Sequence, residues 1–274
     1  MNAYNANWIR TCLILLLTFM SAAATAQTKT LSDFSRIDRD AEEVVVSNKV
    51  IEIPDFAFAG CTRLRKVIFE TGSRCRSIGD NAFYRCDSLR AVVLPHTLRR
   101  IGRYTFAWCT DLENINLTDV HEIGAHAFAY CFALREVCFS SRLAIIGNNA
   151  FCRCDALTDI SLPPAVREVG SYAFAGCTSL RKASLPANSH MLGELIFSGC
   201  DALQLIKAPS SRPPAFDCGS YIFDPDEADR HTSCRLIVPP GSENAYRTSP
   251  GWMLFHDISS NDTRNTFGES TGNN

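Results

Sequence analysis

Apolar residues recur along this chain in a fixed order, separated by polar positions that vary from one recurrence to the next. The shared pattern is Ile-Gly-x-x-Ala-Phe-x-x-Cys-x-x-Leu-x-x-Ile-x-Leu-Pro, and its seven copies start at spacings of 22 to 25 residues. Such a short, regular period is typical of a solenoid, in which each coil buries its apolar side chains only against neighbouring coils. We therefore predict one continuous body, with copies that begin at Ile53, Ile78, Ile101, Ile123, Ile146, Val169 and Leu192.

The apolar positions within a copy predict its elements. Each copy ends in an alternation such as Ile115-Asn116-Leu117, which is the period of a strand with one buried face. Stacked coils would place these strands about 4.8 Å apart in a parallel sheet. We expect coils of 22–25 residues, with this sheet on one face, short helical turns on the other and a cap at each end. The sixth position is always phenylalanine and predicts a buried column of Phe58, Phe83, Phe106, Phe128, Phe151, Phe174 and Phe197.

A cysteine fills the ninth position of every copy. Zinc sites need ligands two to four residues apart, and only Cys152 and Cys154 lie that close. Disulfides need Cβ atoms about 3.8 Å apart, which is less than the rise between adjacent coils. We interpret the column as small, buried, free thiols and predict no metal site. Its members are Cys61, Cys86, Cys109, Cys131, Cys154, Cys177 and Cys200.

A glycine fills the second position of every copy except the first, which has Pro54. This pattern predicts a tight corner, where the backbone needs either a positive φ or a close approach between coils.

The repeat resembles the BspA-type leucine-rich repeat. The motifs that carry the resemblance are Ile-Gly-Asp-Asn-Ala-Phe at 78–83, Cys-Thr-Ser-Leu at 177–180 and the closing Leu-Ile-Val-Pro-Pro-Gly at 236–241. The resemblance covers about residues 44–258 and implies a leucine-rich repeat solenoid. It also implies a secreted or surface protein, because family members are typically exported and some are adhesins. No catalytic residue set belongs to the family.

The start of the chain has the features of a signal peptide. Arg10 precedes an apolar run from Cys12 to Met20, and Ala24-Thr25-Ala26 supplies the small residues of a cleavage site. We predict cleavage after Ala26, export, and a mature chain without a transmembrane span.

The remaining segments flank the repeats. Cys218 and Cys234 border an irregular loop and form a possible disulfide in an exported protein. Ser242–Thr248 is predicted to be a short helix. We divide the chain into a signal peptide at 1–26, a polar lead with capping strands at 27–52, seven repeats at 53–207, a C-terminal cap at 208–258 and a disordered tail at 259–274.

Composition and motifs favour a scaffold over an enzyme. The net charge of -2 provides no basic field for nucleic acid. The histidines form no short-spaced metal pair, and the chain has no nucleophile elbow, phosphate loop or dinucleotide fingerprint. We predict no cofactor. A hydrolase site or a calcium site in the acidic loop is the least favoured alternative, and it would use Asp224, Asp226, Glu227, Asp229 and His231.

Copies three and four depart from the pattern with aromatic residues. Position eight is usually Gly or Arg but is Trp108 and Tyr130 here, and the turn nearby carries Phe132 instead of Thr or Asp. Tyr104 and His126 share the fourth position of the same copies. We hypothesise that these five residues form a patch that binds a protein or glycan on a host or microbial surface. The alternative is that the rings only thicken the edge of the core.

The outward strand positions form a second, weaker candidate surface. They are mostly small and polar and lack the aromatic and Arg anchors of binding hot spots. We therefore predict a secreted or cell-surface adhesion scaffold; the alternative is a structural spacer of a cell-envelope assembly. The residues of this strand face are Lys66, Asn114, Asn116, Glu136, Asp159 and Lys182.

Overall fold

The computed structural model describes residues 29–189, 191–216, 221–224 and 234–260. The predicted signal peptide, Cys218 and most of the acidic loop lie outside these residues. The described part of the chain winds into a parallel-strand β-solenoid with two strand-bearing sides.

One side carries the longer strands, which follow the predicted alternation. All pairings are parallel and join equivalent residues of successive coils, such as Val44 with Val67 and Val67 with Val92. The strands are β1 (Lys29–Leu31), β2 (Glu43–Val46), β4 (Lys66–Phe69), β6 (Ala91–Val93), β8 (Asn114–Leu117), β10 (Glu136–Phe139), β12 (Asp159–Ser161), β14 (Lys182–Ser184), β16 (Leu205–Lys207), β18 (Arg235–Ile237) and β19 (Asp257–Ser259).

The other side is an eight-stranded parallel sheet of two-residue strands, which the sequence analysis did not predict. Seven of these strands place the first residue of a copy in the core, beside its equivalent in the next coil, as Ile78 lies beside Ile101. The eighth, after the last copy, places Phe216 in the core. The strands are β3 (Glu52–Ile53), β5 (Ser77–Ile78), β7 (Arg100–Ile101), β9 (Glu122–Ile123), β11 (Ile145–Ile146), β13 (Glu168–Val169), β15 (Met191–Leu192) and β17 (Ala215–Phe216).

The predicted phenylalanine column is confirmed. Successive rings stack with centroids 4.9 Å apart for Phe58 and Phe83 and 6.0 Å apart for Phe174 and Phe197. All seven side chains are at most 1% exposed. Burying each ring stabilises the fold by about 1.5–3 kcal/mol, so this column is a main source of stability.

The predicted helical turns are not confirmed. The segment after each short strand is a chain of hydrogen-bonded turns, and the α-helix among the described residues is α1 (Glu243–Thr248) near the C-terminus. The fourth and eighth residues of every copy have positive φ, between 51° and 75°. Their N–H groups point to the next coil; Tyr104, for example, donates to the carbonyl of Ala125 at 2.9 Å. A helix would use these donors internally, whereas the turns use them to join coils.

The glycine column reflects close approach between coils. Its members have no positive φ, so close approach is the alternative that the structure supports. A Cβ added to Gly124 would lie 2.6 Å from the carbonyl carbon of Gly102 in the preceding coil. Only glycine therefore fits at this corner.

The cysteine column has a more specific role than the sequence suggested. The thiol of Cys86 donates to the backbone carbonyl of Phe58 in the preceding coil, at 3.2 Å, and the next five cysteines of the column repeat this bond at 3.1–3.3 Å. Burial raises the pKa of the Cys109 thiol well above its usual value. The Cys109 side chain thus remains a protonated donor.

The segments on both sides of the repeats continue the stack. Phe34 packs edge-on against Phe58 at one end, and Phe223 extends the ring column beyond Phe197 at the other. The predicted helix is observed, although the Ser242 hydroxyl donates to the carbonyl of Pro239 and does not cap it. The Cys218–Cys234 disulfide cannot be placed, because Cys218 is outside the described residues.

Candidate binding site on the turn ridge

The turn ridge comprises positions four to ten of each copy, between the short strand and the long strand. Positions four and eight both have left-handed backbone, which suits glycine or asparagine best. Position eight follows this preference in three copies, which carry Gly60, Gly176 and Gly199. Trp108 and Tyr130 occupy the same position with φ of 64° and 63°.

The structure brings the predicted aromatic residues together in two stacks. The rings of Trp108 and Tyr130 lie 4.3 Å apart with an interplanar angle of 12°. The ring of Phe132 is roughly perpendicular to both, with its centroid 6.0 Å from that of Trp108 and 6.1 Å from that of Tyr130. Tyr104 and His126 form the second stack, at 4.4 Å and 4°. We call these five residues the aromatic cluster.

The cluster lies at the surface and outside the hydrophobic core. Trp108 is 36% exposed and Tyr104 39%, whereas core rings such as Phe128 are fully buried. Tyr130, Phe132 and His126 are half-buried. Burial lowers the pKa of His126, which favours a neutral imidazole in its stack with Tyr104.

Backbone strain offsets the stability that the Trp108–Tyr130 stack provides. A left-handed backbone costs a residue with a side chain roughly 1–2 kcal/mol, so the pair costs about 2–4 kcal/mol. An aromatic pair contributes about 0.5–1.5 kcal/mol beyond its buried area, and partial burial of each ring adds about 1 kcal/mol. The terms nearly cancel, so packing alone does not explain why these two copies carry aromatic residues where three others carry glycine and two carry Arg85 and Arg153.

Charged residues border the cluster. The guanidinium of Arg153 lies 6.0 Å from the centre of the Phe132 ring and makes two 3.1 Å hydrogen bonds to the Asp155 carboxylate. These bonds raise the pKa of Arg153 further, so its charge is permanent. Arg90 forms an ion pair with Asp111 of the next coil at 3.6 Å. The border therefore has fixed but balanced charges.

The six predicted residues of the strand face lie on the outer side of the long strands. Their side chains range from half-buried Lys66, Asn114 and Asn116 to exposed Glu136, Asp159 and Lys182. They lie on β4, β8, β10, β12 and β14, which are three or four residues long. These strands are separate from the turn positions that hold the aromatic cluster.

Two features of the ridge were missed at the level of sequence. The left-handed backbone at positions four and eight has a signal, because glycine or asparagine recurs there in several copies. The flanking arginines Arg85 and Arg153 occupy position eight on either side of Trp108 and Tyr130, and they were read only as ordinary variants of the column.

The described residues contain no group of three or more His, Cys, Asp or Glu side chains that could hold a metal ion. Within the same part of the chain, no helix combines the length and apolar character that crossing a membrane requires.

Comparison with known families identifies the repeat. The profile of the BspA type leucine-rich repeat region matches residues 32–157 and 121–224, with six copies. The match covers more than half of the chain, and the chain belongs to this family. A comparison with curated proteins gives no match.

Several solved structures resemble this chain, and one of them supports the fold. A leucine-rich repeat protein from Bacteroides ovatus is 24% identical, with 81% of this chain and 61% of that chain covered and a TM-score of 0.54. One from T. pallidum is 28% identical, with coverage of 62% and 72% and a TM-score of 0.45. Pneumococcal vaccine antigen PcpA is 14% identical, with coverage of 86% and 84% and a TM-score of 0.42. This chain thus spans less than two thirds of the Bacteroides ovatus protein.

Proposed function

We propose that this chain is a secreted or cell-surface binding scaffold that adheres to a protein or glycan partner through the aromatic cluster. It performs no catalysis of its own. Its ordered interior is occupied by side chains that hold coils together, and the leucine-rich repeat family consists largely of binding scaffolds. The polar strand face contributes secondary contacts.

One observation carries this proposal. Trp108 and Tyr130 place large, partly exposed aromatic rings at a left-handed backbone position that holds glycine in three other copies and arginine in two. Exposed aromatic groups retained against backbone strain are typical of functional surfaces.

The repeat itself supplies variants that separate binding from folding. Trp108→Gly and Tyr130→Gly install the residue of Gly60, Gly176 and Gly199, and Phe132→Thr installs the residue of Thr110. The experiment measures adhesion of the wild-type chain and of this triple variant to matrix proteins, mucins and polysaccharides. We expect the variant to lose adhesion and to keep its far-UV circular dichroism spectrum.

A matched control tests the strand face separately. Asp159→Asn and Lys182→Gln remove two exposed charges without touching the aromatic cluster. Adhesion that survives the triple variant and falls in this control would place the site on the strand face. A chain that binds none of the materials and co-purifies with envelope proteins would be a structural spacer.

The proposal includes export and processing. Cleavage after Ala26, caps at 27–52 and 208–258, a disordered tail that follows β19 and a Cys218–Cys234 disulfide would suit a solenoid outside the cytoplasm. Mass spectrometry of the secreted chain tests the new N-terminus at Gln27 and the loss of two hydrogens that the disulfide requires.

A further inference from the structure

The third position of each copy, directly before the turn ridge, supplies an acceptor for a backbone donor of the next coil. In copy two, Oδ1 of Asp80 accepts the N–H of Arg103 at 2.7 Å. Asp55 does the same for the N–H of Asp80, at 2.6 Å. In copy five, the amide oxygen of Asn148 accepts the N–H of Ser171 at 3.0 Å. A side-chain oxygen between two coils is therefore part of the repeat.

Copies three and four interrupt this series. Their third residues are Arg103 and Ala125, whose side chains carry no acceptor. As a result, the N–H groups of Ala125 and Asn148 in the next two coils have no acceptor among the residues that the structure describes. Backbone donors in folded proteins are normally paired with protein, water or a ligand.

The backbone beside these two donors is accessible. Where an Asp or Asn side chain fills the third position, the glycine of the next coil is buried, as are Gly79, Gly102 and Gly170. Gly124 and Gly147 follow the two interrupted copies, and both are half-exposed. A ligand can therefore reach the donors that the repeat leaves unpaired.

The charges at this place favour an anion. Arg103 is exposed and forms no ion pair within the described part of the chain. Asp80, one coil earlier, already accepts a backbone N–H, and Arg100 and Glu122 on the adjoining short strands pair with each other at 3.5 Å. A carboxylate is the anion that the chain itself places at the equivalent position, in Asp55 and Asp80.

A groove with a volume of about 460 Å³ continues from Asn148 along the short-strand sheet to Gly193. Exposed Arg167 and Glu168 line it, together with the hydroxyl of Ser171. Donors and acceptors side by side suit sugar hydroxyls, each of which both donates and accepts. A peptide that binds by strand addition needs a free strand edge, and β9, β11, β13 and β15 are paired on both sides.

We propose that this place binds a sugar chain that contains uronic acid. A uronate carboxylate lies over the methyl group of Ala125, where it accepts the N–H of Asn148 and pairs with the Arg103 guanidinium. Another oxygen of the same chain accepts the N–H of Ala125, and the neighbouring sugars occupy the groove beyond Asn148. The inference goes beyond the proposed function, because the site is separate from the aromatic cluster.

The repeat supplies a variant that blocks the site without damaging the fold. Ala125→Asp installs the residue of Asp55 and Asp80. Its carboxylate should accept the N–H of Asn148 and so take the place of the uronate. We expect the variant to unfold at a higher temperature than the wild-type chain. Its binding of uronate should be roughly 10-fold or more weaker, because a charge-assisted hydrogen bond to the ligand is lost.

Calorimetry with galacturonate and glucuronate oligomers measures this binding. Ala156→Asp is the matched control, since it makes the same change at the position that Asp111 occupies in copy three, away from the site. It should bind as the wild-type chain does. Arg103→Ala installs the residue of Ala125, and it should weaken binding by removing the cation. The methyl esters of the oligomers, which keep the sugars and lose the charge, should not bind.

The remaining outcomes overturn the proposal. Uronate binding that survives Ala125→Asp, or that Ala156→Asp weakens equally, would remove the site. Methyl esters that bind as well as the acids would show that no carboxylate is read, and tighter binding of a glutamate-rich peptide would exclude the sugar. Absence of binding to both oligomers would also overturn it.

A further variant keeps this proposal distinct from the proposed function. The triple variant Trp108→Gly, Tyr130→Gly, Phe132→Thr should bind the uronate oligomers as tightly as the wild-type chain. Uronate binding that depends on these rings would overturn a separate site. Loss of adhesion with unchanged uronate binding would support both claims.

Discussion

The thiol of Cys109 donates a hydrogen bond to the backbone carbonyl of Phe83, 3.2 Å away in the preceding coil. That carbonyl also accepts the N–H of Cys86 from its own coil, at 3.1 Å. One oxygen therefore closes a turn and holds the next coil, which explains why a small side chain with a donor recurs at this position.

The first prediction concerns this bond. Cys109→Ala removes the donor and opens a small cavity, and we expect a loss of about 1–3 kcal/mol in the free energy of unfolding. Cys109→Ser keeps a donor of similar size and should lose less. Chemical denaturation of both variants provides the measurement. A serine variant less stable than the alanine variant would show that the thiol acts only as an apolar filler.

The second prediction concerns stability at high pH. Burial raises the pKa of the Cys75 thiol from 9.0 to about 11. Above pH 9 the unfolded chain releases this proton and the folded chain retains it, so stability is complete below pH 9 and falls as pH rises towards 11. The slope is up to about 1.4 kcal/mol per pH unit for each such thiol.

Other copies of the repeat carry a residue that cannot titrate at the position of Cys75, and this residue provides a control variant. Cys75→Val installs the residue that Val120 and Val166 provide at the same position. Urea unfolding between pH 8 and pH 11 should give a shallower decline for the variant than for the wild-type chain. Parallel profiles would mean that Cys75 does not titrate as proposed.

The third prediction compares two glycines. Gly124→Ala forces a Cβ against the backbone of Gly102, and such overpacking costs about 1–3 kcal/mol or more. Gly72 has a φ of 75° and open space around its Cβ position, so Gly72→Ala costs only the backbone strain, about 1–2 kcal/mol. Thermal unfolding should therefore rank Gly124→Ala as the less stable variant. The reverse order would contradict the close approach of the coils.

The period of the sequence was sufficient to predict the main features of the fold. Seven phenylalanines at spacings of 22 to 25 residues have one simple arrangement, in which each ring lies over the next. The alternation around Ile115 is that of a strand with one buried face. These features follow from the repeat, because each coil has the same backbone path and the same buried positions as its neighbours.

The turns were predicted wrongly for a physical reason. Phe58, Cys61 and Leu64 are three residues apart and all buried, which mimics the inner face of a helix. Left-handed residues at positions four and eight interrupt any helix, and Gly60 was the signal for this. The acceptor of each thiol could not be predicted, since it depends on which carbonyl of the preceding coil lies beneath the sulfur.

The aromatic cluster could be predicted from residues that depart from the repeat pattern. The arrangement of its rings relative to one another could not. Sequence placed Trp108, Tyr130 and Phe132 on adjacent coils, but the stacking of the first two and the perpendicular third ring depend on side-chain rotamers. The glycines at position eight of three other copies were a signal for left-handed backbone at Trp108 and Tyr130, and the dihedral angles show it directly.

The central claim is that Trp108 and Tyr130 serve the surface and not the fold, and the free energy of unfolding of the Trp108→Gly, Tyr130→Gly double variant tests it most directly. Relief of strain should offset the lost stacking, so we predict a value within about 1 kcal/mol of the wild-type chain. Phe128→Ala, measured alongside, should lose about 3–5 kcal/mol. A double variant as unstable as Phe128→Ala would assign both rings to the core and contradict the account.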